Sequence, residues 1–203
     1  LDSVGQTFDG VDIKLADDGE LLVRGDVIMN GYWEDPKATA ETIIDGWLHT
    51  GDLASVDPSE FIRIIGRKKD LIVTSGGENI APSKIESMLS SEPEIEQAIV
   101  FGDGKPWLGA VLIPTEETKL APNCAALLSS AVQKVNEQLN QSARVRKYVT
   151  QEMICSTDNG LLTPTQKVKR DAVLSRNETE IQALYGRIKI EKVLSQPQAL
   201  PKT

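Results

Sequence analysis

The stretch Ile65-Gly66-Arg67-Lys68-Lys69-Asp70-Leu71-Ile72-Val73-Thr74-Ser75-Gly76-Gly77-Glu78-Asn79-Ile80-Ala81-Pro82 decides how this chain is read. An apolar run ends at Ile65, four charged residues follow, a second apolar run begins at Leu71, and a glycine pair turns the chain before Asn79. Charge between two apolar runs marks a solvated junction, because a segment that stays wet in every arrangement of its neighbours loses nothing by carrying ammonium groups. The sequence pattern changes character on the two sides of that junction. Strand signals dominate before it, and strands interleave with helices after it, which predicts an α+β chain: a β-rich unit over 1–68, a mixed unit over 69–194 and a loose, proline-containing tail over 195–203.

Upstream, Val11-Asp12-Ile13-Lys14-Leu15 alternates apolar and polar with period two. Asp17-Asp18-Gly19 turns, and Glu20-Leu21-Leu22-Val23-Arg24 returns as the second arm of a hairpin. Asp35 followed by Pro36 is an N-cap before a first-turn proline, so a short helix starts there and Asp45-Gly46 closes it. Strands are predicted near Leu53 to Val56 and Phe61 to Ile65. Downstream the elements are Leu71 to Thr74, Pro82 to Ser91, Ile95 to Phe101, Gly109 to Pro114, a long helix over Asn123 to Asn140, and Tyr148 to Ile154. Ile85, Met88 and Leu89 share one helical face, as do Leu127, Leu128, Ala131, Val135 and Leu139.

Composition excludes some classes of function. A net charge of -8 on 203 residues argues against a nucleic-acid partner, since phosphate contacts need clustered, excess Lys and Arg. No apolar run approaches the roughly 20 residues of a membrane span, and the first residues lack a basic start and apolar stretch. Cys124 and Cys155 stand far apart, in no CxxC pattern and with His49 as the one imidazole, so they read as buried thiols of a reducing, cytoplasmic compartment and no metal site is expected. Tyr32 and Trp33 read as core residues, because no basic interleaving surrounds them. No Gly-x-x-x-x-Gly-Lys-[Ser/Thr] run is present to cradle a triphosphate.

Taken with Trp47-Leu48-His49-Thr50-Gly51-Asp52 upstream and Leu162-Thr163-Pro164-Thr165-Gln166-Lys167 downstream, the junction resembles the adenylate-forming superfamily, and within it the long-chain acyl-CoA synthetases, over about Gly19 to Arg176. That resemblance implies a two-step ligase, in which ATP and a fatty acid give an acyl-adenylate that coenzyme A attacks to give a thioester. It also implies the fold: the β-rich end of a large N-terminal domain, then a small, mobile α+β C-terminal domain. The family's phosphate loop, adenine-binding segment and acyl pocket, with the Mg and triphosphate sites, lie upstream of anything here, so the expectation is a C-terminal fragment that is inactive alone. Two other readings stand beside it: an adenylation domain that loads a carrier protein, and a non-catalytic interaction module with the same fold.

The residues that would carry the chemistry follow from the motifs. Asp52, placed after a glycine at the end of a turn, is an ordinary turn residue by itself; within the Thr-Gly-Asp motif the resemblance makes it the ribose holder, a carboxylate that accepts two hydroxyl donors at once. Arg67 is by resemblance a second nucleotide contact. In the Gly-Arg-x-x-Asp pattern the second variable position is the hinge, which selects Lys69. Gly76, in a turn where paired glycines permit positive φ, is a CoA-side residue by the same carry-over. The resemblance likewise makes Lys167 the catalytic residue of the first step, a flexible ammonium on a mobile loop that follows charge building between carboxylate and α-phosphate. The family's commonest form has Gly before that lysine; this chain has Gln166, as in the long-chain branch, and Lys169 is a weaker candidate. His49 is not assigned as a base, since the groups that react are already ionised at pH 7.

Overall fold

A computed structural model describes residues 3–186. The expected tail from Ser195 and the last residues of the second unit lie outside them.

The first unit is a five-stranded antiparallel sheet made of β1 (Val11–Leu15), β2 (Glu20–Gly25), β3 (Ile43–Ile44), β4 (Trp47–Val56) and β5 (Ile62–Arg67). The predicted hairpin is present, with Val11 opposite Gly25 and Leu15 opposite Leu21. Helix α1 (Pro36–Thr42) begins as expected, the Asp35 carboxylate accepting from the Ala38 amide. Strand β4 is longer than predicted, running from Trp47 and pairing with β2 and β3 in its first half and β5 in its second. Asp52 therefore lies within a strand and not in a turn; Gly51, at φ 70°, supplies the local departure from extended backbone that made the segment look turn-like. The core beneath this sheet is thin: Leu21, Ala54 and Ile62, flanked by Ile13 and Val23. Tyr32 and Trp33 are not core residues, since they are 50% and 90% exposed. They follow Gly31 on a loop that packs back through the Thr39 hydroxyl, which accepts from the Tyr32 amide.

One turn of 3-10 helix, Lys68–Asp70, joins the units. Beyond it β6 (Ile72–Val73) and β7 (Asn79–Ile80) form a small hairpin, and α2 (Pro82–Ser90) packs on a second sheet. That sheet has the order β10-β9-β8, from β8 (Ile95–Phe101), β9 (Leu108–Pro114) and β10 (Val145–Thr150). Strands β8 and β9 are antiparallel, while β9 and β10 are parallel, which requires the long crossover made by α3 (Glu116–Leu120) and α4 (Cys124–Glu137). The last strand starts three residues before its predicted position.

Every residue of β9 is buried, as expected of a central strand covered on both faces. Ala98, Val100, Leu108, Ala110 and Leu112 face α2 and α4, where Ile85, Leu89, Leu128, Ala131, Val132 and Val135 meet them. Ile99, Phe101, Val111 and Ile113 face the opposite way, onto Leu161, Leu162 and Val173, the last from α5 (Arg170–Arg176), with α6 (Glu178–Tyr185) alongside. The helical stripe on α4 is shifted slightly from expectation, with Val132 buried and Leu127 half-exposed. Gly109 is required by this packing, because a Cβ there would stand 2.5 Å from the Phe101 ring. Of the two thiols, Cys155 is buried and Cys124 is only half-buried. Each fully buried Leu, Ile or Val contributes about 1.5–3 kcal/mol. The second unit has two such layers and the first a single small cluster, so most of the stability resides beyond the junction.

Candidate nucleotide-facing site at the junction

Strands β4 and β5 place Asp52 opposite Arg67 in register, and the guanidinium Nε forms an ion pair with Asp52 Oδ1 at 2.9 Å. The same guanidinium reaches the Thr50 carbonyl at 3.1 Å, and the Thr50 hydroxyl donates to the Leu21 carbonyl while accepting from the Asp52 amide. Asp52 is thus held from both sides. Its Oδ2 takes no bond among the described residues, which leaves one carboxylate oxygen for hydroxyl donors.

The group behind this pair was not legible from the residues alone. Glu20 is 4% exposed, and it is the one charged residue fully buried among those described. Its carboxylate accepts from the Gly51 amide at 2.9 Å, from His49 Nδ1 at 3.2 Å and from Lys68 Nζ at 3.0 Å. Lys68 also pairs with Asp18. Burial pushes the Glu20 carboxyl up, but the bonds from Lys68, Gly51 and His49 outweigh it and hold the group below its usual range. Bonds to Asp18 and Glu20 push the Lys68 ammonium up. His49 lies on β4 as a partner of Glu20. The alternation of β2 pointed to Glu20 only as a strand residue; the burial of its side chain follows from β4 crossing over it.

Lys69, by contrast, forms no ion pair or side-chain hydrogen bond among the described residues and borders a cleft of about 810 Å³. Arg67 and Lys167 border the same cleft. Asp52 lines a smaller neighbouring one of about 280 Å³, which shares Arg67, Asp70 and Arg170 with it. Three of the five predicted positions therefore open onto one groove along the junction, and Asp52 onto the smaller cleft beside it. The two units also touch directly there, through the Ser83 hydroxyl and the Ile65 carbonyl.

The Lys167 segment is a hydrogen-bonded turn. Leu162 pairs with Val168 as a bridge, the Thr163 amide donates to the Lys167 carbonyl at 2.8 Å, and the Lys167 amide donates to the Thr163 hydroxyl at 3.0 Å. Buried Leu161 and Leu162 root one arm. The other arm is rooted by Arg170. Its guanidinium makes two bonds to the Glu86 carboxylate, at 2.7 and 2.8 Å, and one to the Val100 carbonyl at 2.7 Å, while Glu86 also accepts from the Val100 amide. Glu86 and Arg170 thus cap the free edge of β8 in place of a further strand. Gln166, at the tip, is held at φ 63°.

Gly76 is elsewhere. It borders a cleft of about 380 Å³ with Thr74, Glu78, Trp107 and Arg146, and that cleft shares no residue with the Lys167 groove. In the turn it is Gly77, at φ 80°, that needs glycine; Gly76 has ordinary backbone, and a Cβ there would meet only the Thr74 hydroxyl at 3.6 Å.

The family model described as AMP-binding enzyme C-terminal domain matches residues 69–189. The chain belongs to that family. It is 39% identical over 206 residues to the long-chain-fatty-acid–CoA ligase FadD15 of Mycobacterium tuberculosis, covering 92% of this chain and 34% of that protein. It is 32% identical over 213 residues to the long-chain-fatty-acid–[acyl-carrier-protein] ligase AEE15 of Arabidopsis thaliana, covering 92% and 29%. Among solved structures, the adenylation domain of a carboxylic acid reductase from Segniliparus rugosus, in complex with AMP and a co-purified carboxylic acid, superposes with a TM-score of 0.77 at 25% identity, over 89% of this chain and 32% of that one. The O-succinylbenzoate CoA synthetase of Bacillus subtilis in complex with AMP gives 0.68 at 28%, over 84% and 35%. The α+β architecture of the chain is that of such adenylation domains. The chain spans about a third of the length of these curated relatives.

Proposed function

We propose that this chain is the C-terminal part of an ATP-dependent fatty acyl-CoA ligase. The observation that carries the reading is the separation of two clefts: Lys167 opens onto a groove with Arg67, next to the smaller cleft of Asp52, and Gly76 opens onto another. In the first half-reaction a carboxylate oxygen attacks the α-phosphorus of ATP and pyrophosphate leaves. Asp52 holds the ribose hydroxyls, Arg67 steadies Asp52 and reaches the nucleotide, and the Lys167 ammonium stabilises charge on the transferring oxygens. In the second, the CoA thiolate attacks the acyl carbon and AMP leaves. A unit that presents Lys167 and Gly76 from different clefts would serve both steps by turning about Lys69.

Among the described residues no three His, Cys, Asp or Glu side chains gather as a metal site. We assign magnesium and the triphosphate to the segment that relatives carry before this region. On this reading the 203-residue chain alone makes no acyl-CoA. CoA is favoured over a carrier protein as acceptor by the higher identity to the CoA ligase, 39% against 32%. The test is the full-length ligase supplied with ATP and a series of fatty acids. Pyrophosphate exchange and thioester formation on free CoA are expected; exchange without transfer to CoA, but with transfer to a carrier phosphopantetheine, would favour the carrier reading, and no exchange at all would overturn both.

A further inference from the structure

The buried carboxylate of Glu20 touches both halves of the proposed machinery and belongs to neither. One oxygen holds the Gly51 amide, directly before Asp52, and the other holds the Lys68 ammonium, directly before Lys69. Asp18, whose Oδ1 accepts from the Glu20 amide, closes the arrangement from the far side of Lys68. Hence the strand that bears the ribose carboxylate and the first residue of the linker are tied to a single group, on the same sheet.

We propose that Glu20 is a positioning residue that clamps Lys68 to the first unit, so that rotation begins at Lys69 and leaves the Asp52–Arg67 pair in place in both half-reactions; this rests on the ligase reading above. The physical reason is geometric. Arg67 and Lys68 are adjacent in the chain, and a swing that began at Lys68 would drag the Arg67 backbone with it. Arg67 Nε lies 2.9 Å from Asp52 Oδ1, so a shift of about 1 Å would carry the ion pair out of hydrogen-bond range. A buried carboxylate holding Lys68 prevents that, because pulling the ammonium away leaves Glu20 charged and under-partnered in the sheet. Lys69, with no partner among the described residues, is released to turn.

The experiment uses the full-length ligase with Glu20→Gln and Lys68→Met, singly and together, and Lys68→Arg as the conservative variant. Adenylate formation is followed by pyrophosphate exchange, and the second step by thioester formation from supplied acyl-adenylate. Glu20→Gln is expected to raise the KM for ATP about tenfold, because the Gly51–Asp52 segment loses its charged anchor, and to slow thioester formation by a similar factor. Lys68→Met should slow thioester formation to the same degree while leaving the KM for ATP near wild type, and the double variant should be no slower in that step than Glu20→Gln. Lys68→Arg, which keeps the charge pair, should restore the rate. Losses that multiply in the double variant, or variants that lower only the melting temperature, would overturn the clamp. A wild-type enzyme silent in pyrophosphate exchange would overturn the ligase reading instead, so the two failures are distinct.

Discussion

Replacing Arg170 with methionine should remove the latch that holds the Lys167 hairpin to the second unit. Taking one partner from a fully buried ion pair costs about 3–5 kcal/mol. The Arg170 and Glu86 side chains are 27% and 18% exposed, so water recovers part of this and about 2–3 kcal/mol remains. The Val100 carbonyl also loses its donor inside a residue with no exposed surface, and leaving a buried carbonyl unpaired costs about 1 kcal/mol at the low end of the usual range. The expected total is about 3–4 kcal/mol, or roughly 10–15 °C in melting temperature for a unit of this size. Urea denaturation should show a lower midpoint at unchanged slope, and exchange of the Val100 amide, which donates to Glu86, should speed up. In a double-mutant cycle with Glu86→Gln, a coupling of about 2 kcal/mol is expected, since each side chain acts through the other. A loss under about 0.5 kcal/mol, or strict additivity, would refute the idea that the pair is a latch.

Other outcomes follow from the same geometry. In the full-length ligase Lys167→Ala should slow adenylate formation on the order of 10²-fold or more while thioester formation from supplied acyl-adenylate survives, because the charge that the ammonium meets exists only in the first step; equal loss in both assays would remove the assignment. Lys69→Pro fixes φ near -65° at the pivot and should block one half-reaction selectively, which comparison of the two partial rates would reveal. Gln166→Gly relieves a left-handed residue that costs about 1–2 kcal/mol, partly offset by the greater freedom of glycine in the unfolded chain; the net should be a gain of up to about 1 kcal/mol in denaturation, whereas Gln166→Val should lose stability. The Glu20 carboxyl is held below the usual glutamate value of 4.5, so it contributes stability that is present above that pH and is lost as pH falls through the lower, folded-state value. The stability gap between wild type and Glu20→Gln should accordingly narrow as pH falls below the usual glutamate value; a gap that does not change with pH would show that charge is not what Glu20 contributes.

Local rules made much of the fold legible. The Asp35-Pro36 cap, the period-two arms around Asp17-Asp18-Gly19 and the continuous apolar run that became β9 each express a preference acting within a few residues, and each formed where it was read. The motifs around Thr50-Gly51-Asp52, Arg67 and Lys167 could likewise be singled out from the residues alone. Tertiary structure decided what surrounds them. Whether Trp33 is covered depends on which surface packs over Gly31-Tyr32-Trp33, and nothing in the described residues does, so an apolar residue that reads as core stands 90% exposed. Glu20 and Lys68 are 48 positions apart, and Glu86 and Arg170 are separated by 84, so no window of sequence contains either pair. Burial of a carboxylate among an amide, an imidazole and an ammonium is created only when β4 lays Gly51 and His49 against β2 and the junction brings Lys68 back over them. The sequence by itself thus determined most of the elements and singled out the candidate side chains, because those depend on neighbours along the chain. Only the folded sheet decided which charges are held and which, like Lys69, are left to move, because that depends on neighbours in space.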